Sequence, residues 1–142
     1  MKQEEVDKSS KTEKVSSIQY QGLSYDFIEL APEIFHIIRK IQNIDERLIK
    51  QIFSIQNLEN LVVDVSLTKG GTFYVKPLQG GLIIKSINKA GYKLMQDFLP
   101  DYFRYLLMNP NTHLSPVLGV FNMNLNRNGV HLPIYFTIQR NV

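Results

Sequence analysis

The stretch Leu82-Ile83-Ile84-Lys85-Ser86-Ile87, followed by Asn88-Lys89-Ala90-Gly91-Tyr92, contains the change of pattern that decides the fold. Four of its first six residues are aliphatic, which is typical of a strand. Asn88 is a favoured N-cap residue for a helix. The sequence therefore predicts a strand at 82–87 joined to a helix at 88–108, with a kink or a fresh start at Pro100.

Strand and turn signals continue on both sides of this stretch. Upstream, apolar segments at about 61–67 and 72–77 are separated by Lys69-Gly70-Gly71, and Gln79-Gly80-Gly81 forms the next turn. Downstream, segments 117–125 and 130–139 enclose Asn128-Gly129, a strong hairpin signal. These patterns predict an α+β fold, in which a five-stranded antiparallel sheet has one long helix inserted between its third and fourth strands.

Two helices are predicted ahead of the sheet, at 31–42 and 46–53. Pro32 and Glu33 suit the first turn of a helix, and they precede apolar residues at helical spacing: Ile34, Ile37, Ile38 and Ile41. Residues 1–17 are almost entirely polar, so we expect a disordered tail there. Residues 18–142 are then expected to form the folded domain.

Composition excludes several classes of protein. The 142 residues include no cysteine, which rules out disulfides, thiolate zinc sites and a cysteine nucleophile. No apolar run approaches the roughly 20 residues that span a bilayer, and the acidic N-terminal residues do not resemble a signal peptide. We expect an intracellular protein that is soluble or peripheral on a membrane or complex.

The charge is unevenly distributed. Residues 18–64 carry seven acids and four bases, a net −3, whereas residues 65–142 carry eight bases and two acids, a net +6. A basic half suits phosphates, an anionic membrane or an acidic partner, and it is equally compatible with an ordinary solvated surface.

Eight segments follow one another in a defined order and spacing. They are residues 25–40, Ile44-Asp45, Gly70-Gly71-Thr72-Phe73-Tyr74, Leu82-Ile83-Ile84-Lys85-Ser86, Phe98-Leu99-Pro100-Asp101-Tyr102-Phe103, Asn109-Pro110-Asn111-Thr112-His113-Leu114, Gly119-Val120-Phe121 and Thr137-Ile138-Gln139-Arg140-Asn141-Val142. Over about residues 18–142, the chain resembles the N-terminal lobe of the phosphatidylinositol phosphate kinases. The last segment is similar to the hinge of that family.

The resemblance implies ATP as a ligand. It places Lys69, Gly70, Gly71 and Thr72 in the loop that covers the phosphates, and Lys85 on the α- and β-phosphates. Without the resemblance, the glycine pair would be read as a plain hairpin turn. The residues alone also leave open an outward-facing Lys85.

The chain departs from the family pattern on the long helix. Lys93 stands where many family members have the glutamate that holds the lysine, and no acid occurs between Ser86 and Gln96. Facing Lys85, a second ammonium at 4 Å would cost about 4 kcal/mol at an effective dielectric constant of 20. We therefore expect ATP binding to be weak or absent.

The acids that phosphoryl transfer requires are also scarce. After Lys85 only Asp97 and Asp101 remain, so we expect no catalytic residue and no metal site in this chain. The leading hypothesis is a non-catalytic binding or scaffold module, or a subunit of a larger assembly. The alternative is the ATP-binding segment of an active phosphatidylinositol phosphate kinase that is truncated or split.

A half-kinase exposes the surface that its second lobe would cover, so we expect a protein partner on an interlobe face. Six residues are predicted to line it: Val117, Leu118, Val120, Tyr135, Phe136 and Ile138. Weak peripheral contact with anionic lipid is a further expectation from the basic half. Nucleic-acid binding is not expected, and His36, His113 and His131 are too widely separated to indicate a metal site.

Overall fold

A computed structural model of the chain describes residues 2–20, 23–52, 75–112, 116–127 and 130–140. The helices are α1 (Gln3–Ser9), α2 (Pro32–Ile41), α3 (Glu46–Ile52) and α4 (Lys89–Met108). The strands are β1 (Glu13–Tyr20), β2 (Leu23–Leu30), β3 (Val75–Pro77), β4 (Leu82–Ile87), β5 (Val117–Arg127) and β6 (Val130–Arg140). The predicted strand at 61–67 lies outside the described residues, as does the first half of the one at 72–77, whose second half is β3.

The strands form one antiparallel sheet in the order β1-β2-β5-β6-β4-β3. Helix α4 is inserted between β4 and β5, as the pattern around Asn88 predicts, and the Asn88 side chain accepts a hydrogen bond from the Gly91 backbone N–H at 2.7 Å. The α+β class with an antiparallel sheet is confirmed. Two of the six described strands, β1 and β2, are additional to those predicted.

The expectation of a disordered tail over residues 1–17 is wrong. That segment contains α1 and most of β1, and β1 pairs with β2 along its whole length. Val6 is 3% exposed and belongs to the core, and the Ser9 hydroxyl donates to Glu33 on α2 at 3.3 Å. The polar composition gave the wrong prediction because the order of this segment comes from backbone hydrogen bonds between β1 and β2, which composition does not reveal.

Helix α2 begins at Pro32, and its predicted apolar stripe lies in the core. Ile34, Phe35 and Ile38 are fully buried. Its N-cap Ala31 is also buried and has φ 45°, a left-handed conformation that is uncommon for a residue with a side chain. The backbone N–H of Ala31 donates to the Thr12 carbonyl at 2.7 Å, which ties the start of α2 to the segment before β1.

Helix α4 is continuous from Lys89 to Met108, so Pro100 neither ends it nor restarts it. One side of α4 is buried in the core through Tyr92, Leu99, Phe103 and Leu106. No helix in the described ranges has both the length and the apolar character needed to cross a membrane.

Candidate functional site

Strand β4 determines which way Lys85 points. Ile87 pairs with Tyr135 of β6, and directly paired residues of antiparallel strands lie on the same face of the sheet. The Tyr135 ring packs against Tyr92 of α4, with ring centroids 4.8 Å apart. Because side chains alternate along a strand, Lys85 shares this face, which we call the α4 face.

Lys85 is only partly buried on the α4 face, and its cross-strand neighbour is Thr137. Thr137 is 3% exposed, and its Oγ1 atom has no hydrogen-bond partner. Within the described ranges, Lys85 also makes no ion pair. The structure thus brings an ammonium group and an unpaired buried hydroxyl together on adjacent strands.

Neither of the two carboxylates on α4 forms an ion pair with Lys85. Asp101 pairs with Arg104 of the same helix at 2.5 Å, and Asp97 is exposed. Lys93, which the resemblance aligns with the glutamate of the family, is exposed too. Its charge is therefore in water, where a second unit charge at 4 Å would change its energy by only about 1 kcal/mol. Among the described residues, no carboxylate therefore holds Lys85 in the way that a helix carboxylate holds the lysine in kinases.

The predicted glycine loop, Lys69, Gly70, Gly71 and Thr72, lies outside the described residues. Among the residues that the structure describes, no group of three or more histidines, cysteines or acids could hold a metal ion. The nearest described glycines, Gly80 and Gly81, form the turn before β4, and both have φ 72°.

The predicted interlobe face is wrong for four of its six residues. Leu118, Val120, Phe136 and Ile138 are buried in the core. The reason is topological, because β5 and β6 are central strands of the sheet and these four side chains pack in the core. Val117 and Tyr135 are partly buried, so the set does not form an exposed apolar patch.

The face of the sheet opposite to Lys85 has a different character. Phe27, Phe121 and Phe136 stack there, with centroids 5.4 Å apart for the first pair and 5.8 Å for the second. Glu29 pairs with Phe121 across β2 and β5, which places its side chain on this phenylalanine face as well.

Sequence reasoning missed Arg39, which is 3% exposed on α2. Its guanidinium donates to Glu46 at 2.8 Å and to the Leu118 carbonyl at 3.0 Å, and it pairs with Glu29 at 3.6 Å. This group links α2, α3, β2 and β5. The available signal was its position directly after Ile38 in the apolar stripe, which puts a charge next to the core.

Two tyrosines connect α4 to the sheet. The Tyr92 hydroxyl donates to Glu13 of β1 at 3.0 Å, and burial raises the pKa of Tyr92, with the Glu13 charge adding to the effect. The Tyr102 hydroxyl accepts from the Val117 backbone N–H at 2.6 Å, and burial raises the pKa of Tyr102 to about 12. Both hydroxyls are therefore neutral under physiological conditions.

The antiparallel sheet, the helix inserted between β4 and β5, and Lys85 on the α4 face of the sheet agree with a lobe of the kinase type. A family model described as phosphatidylinositol-4-phosphate 5-kinase matches residues 57–142, so the chain belongs to this family. This match confirms the resemblance that the eight segments indicate.

Two relatives agree with the family assignment. The chain is 27% identical over 101 residues to a phosphatidylinositol 4-phosphate 5-kinase of Schizosaccharomyces pombe, covering 71% of the chain and 13% of that protein. It is 26% identical over 103 residues to a probable phosphatidylinositol phosphate kinase of Dictyostelium discoideum, covering 70% of the chain and 14% of that protein. The chain therefore spans about one-seventh of the length of these relatives.

Proposed function

We propose that this chain is a phosphatidylinositol phosphate kinase N-lobe that acts in binding, as a scaffold module or as a subunit of a larger assembly, rather than in phosphoryl transfer. The observation that carries the proposal is the absence of a carboxylate beside Lys85 within the described residues. Asp101 is engaged by Arg104, and Asp97 is exposed.

The physical reason is the geometry that phosphoryl transfer requires. In kinases the lysine is held on the nucleotide phosphates by a helix carboxylate, and magnesium ions on acidic groups neutralise the developing charge. An ammonium without that partner keeps its rotamer freedom, which has to be lost again whenever nucleotide binds. Lys85 can still attract phosphate, but it is poorly positioned for transfer.

The direct test is a transfer assay on the natural full-length protein. Purified protein, radiolabelled ATP and magnesium are mixed with vesicles containing phosphatidylinositol 4-phosphate, and labelled lipid is counted. We expect no product above the level of a Lys85→Met variant. Lipid phosphorylation that requires Lys85 would contradict the proposal.

The alternative function is the ATP-binding segment of an active kinase that is truncated or split. It is supported by the placement of Lys85 on the α4 face beside the unpaired Thr137 hydroxyl. Calorimetric titration with magnesium and ATP separates the two functions. Saturable binding that Lys85→Met removes favours the alternative, and no measurable heat at millimolar ATP favours the binding module.

Lys93→Glu provides a second test of the same question. If Lys93 occupied the place of the family glutamate, this variant would restore the missing carboxylate and strengthen ATP binding. Because Lys93 is exposed on α4, we expect the affinity to stay within about twofold of the parent protein. A tenfold gain in affinity would show that α4 can bring position 93 to Lys85.

A further inference from the structure

Thr137 on β6 carries a buried hydroxyl that the fold leaves without a hydrogen-bond partner. The residue is 3% exposed, and its Oγ1 atom is shielded from solvent. Buried hydroxyls are normally hydrogen-bonded, because burial removes their contact with water and only a new hydrogen bond compensates for it. An unpaired hydroxyl at this depth therefore needs an explanation.

The two residues that pair with Thr137 across the sheet differ in their chemistry. Val120 of β5 is fully buried and apolar, so its side chain offers no donor. Lys85 of β4 carries an ammonium group with three N–H donors and makes no ion pair within the described ranges. Of these two cross-strand neighbours, Lys85 is thus the one whose side chain can donate a hydrogen bond to Thr137.

The register of β4 and β6 brings the two groups within reach of each other. Directly paired residues of antiparallel strands have Cβ atoms about 4.5–5.5 Å apart. The lysine side chain is long and flexible, so a change of rotamer can bring Nζ of Lys85 back onto the Thr137 hydroxyl. A ligand that arrives from solvent has no such access, because Oγ1 is shielded.

We propose that Thr137 is a positioning residue for Lys85, whose ammonium donates a hydrogen bond to the Thr137 hydroxyl when it binds a phosphate group. The hydroxyl then takes the place of the helix carboxylate that holds the lysine in kinases. The new hydrogen bond offsets part of the rotamer freedom that Lys85 loses on binding. Because a hydroxyl is neutral, it holds the ammonium without cancelling the charge that attracts phosphate.

The inference rests on the ability to attract phosphate that the proposed function leaves to Lys85. It predicts different roles for Thr137 in the free and the bound protein. In the free protein the hydroxyl is unpaired, so removing it should not lower stability. In the bound protein it accepts from Lys85, so removing it should lower affinity. A residue with a purely structural role would lower the stability of the free protein.

The first experiment is calorimetric titration of the natural full-length protein with ATP and magnesium, and separately with inorganic triphosphate. Thr137→Val fills a similar volume without an acceptor, so we expect it to weaken binding about tenfold. Thr137→Ser keeps the hydroxyl and should stay within about threefold of the parent. Weakening with both probes shows that the phosphate chain alone is recognised, and weakening confined to ATP identifies a nucleotide as the ligand. Both results support the inference.

The second experiment measures melting temperatures without ligand. Thr137→Val should melt no lower than the parent, because it removes a buried polar group that has no partner. Tyr92→Phe is the matched control on the α4 face, since its hydroxyl donates to Glu13. It should lower the melting temperature and leave the affinity for both probes within about twofold. Opposite responses of the two variants distinguish a positioning residue from a structural one.

The remaining outcomes contradict the inference. If Thr137→Val binds as tightly as the parent, Thr137 does not position Lys85, although Lys85 still binds phosphate. If Thr137→Val lowers the melting temperature of the free protein, the role of the hydroxyl is structural. If the parent binds neither probe, or if Lys85→Met binds as well as the parent, the inference and the ATP-binding alternative fail together.

Discussion

Arg39 and Lys85 are both basic residues next to the core, yet they differ in burial and in their ion pairs. The Arg39 guanidinium is almost fully buried and contacts Glu29, Glu46 and the Leu118 carbonyl. Lys85 lies on the other face of the sheet, is only partly buried, and has no ion-pair partner among the described residues. The difference separates a charge that links several elements of the fold from a charge that has no ion pair in the described part of the chain.

The largest effect is expected from removing the structural charge. Arg39→Met should lower the free energy of unfolding by about 3 kcal/mol, because it leaves Glu29, Glu46 and a backbone carbonyl without their common donor. Urea denaturation followed by circular dichroism measures the change. Arg39→Lys keeps the charge but loses the fork of donors, so it should recover only part of the loss.

Arg47 offers a matched control on α3. Its ion pair with Asp45 is exposed to solvent, and the side-chain hydrogen bond from Arg47 lowers the pKa of Asp45. Arg47→Met should leave the urea midpoint close to that of the parent. A midpoint lowered as much as in Arg39→Met would mean that burial does not distinguish the two arginines.

A medium effect is expected at the polar link on the Lys85 side of the sheet. Tyr92→Phe removes the hydroxyl that donates to Glu13 and should cost about 1 kcal/mol. Tyr105→Phe is the control, since its hydroxyl contacts Thr112 at the exposed surface. Equal losses in the two variants would show that the link between α4 and β1 adds nothing beyond the ring contacts.

A smaller effect should appear at alkaline pH. Burial raises the pKa of Tyr102 from its ordinary value near 10 to about 12, so the fold favours the neutral hydroxyl. That stabilisation is complete below about pH 10 and declines as the pH rises from 10 toward 12. Melting temperatures at pH 9 and 10.5 should therefore fall less for Tyr102→Phe than for the parent protein. An equal fall in melting temperature for the two proteins would contradict the raised pKa of Tyr102.

The smallest effect is expected from Lys85→Met. Because the Lys85 side chain has no ion pair to lose within the described structure, we expect the free energy of unfolding to change by less than about 0.5 kcal/mol. The same urea titration gives the value. A loss approaching that of Arg39→Met would place Lys85 with the structural charges and would remove the contrast between the two residues.

Local sequence patterns were sufficient to predict much of the fold. The Asn88 cap and the isoleucines of α2 each predict a helix whose observed bounds lie within two residues of those expected, and so do the predicted strands on either side of Asn128-Gly129. These signals succeed because capping, tight turns and helical spacing depend on neighbours in sequence. Lys85 was predicted as a phosphate-binding residue from its own strand and from the family resemblance, and that role stays a prediction.

Contacts between segments that are distant in sequence could not be predicted from local sequence patterns. Strand β1 is mostly polar, and its pairing with β2 and the hydrogen bond between Glu13 and Tyr92 explain why it is ordered. The buried state of Val120 and Ile138 depends on the sheet order, which places β5 and β6 in the centre. Arg39 reaches Leu118 across 79 positions of sequence, a separation that no local pattern encodes.

The position of β2 has a practical consequence for studying this family in pieces. The family match begins at residue 57, whereas β2 covers one side of β5 through the register from Tyr25 with Leu125 to Glu29 with Phe121. A fragment cut at the family boundary would turn β5 into an open sheet edge with bare amide and carbonyl groups. Such an edge invites aggregation, so recombinant fragments should include everything from α1 onward.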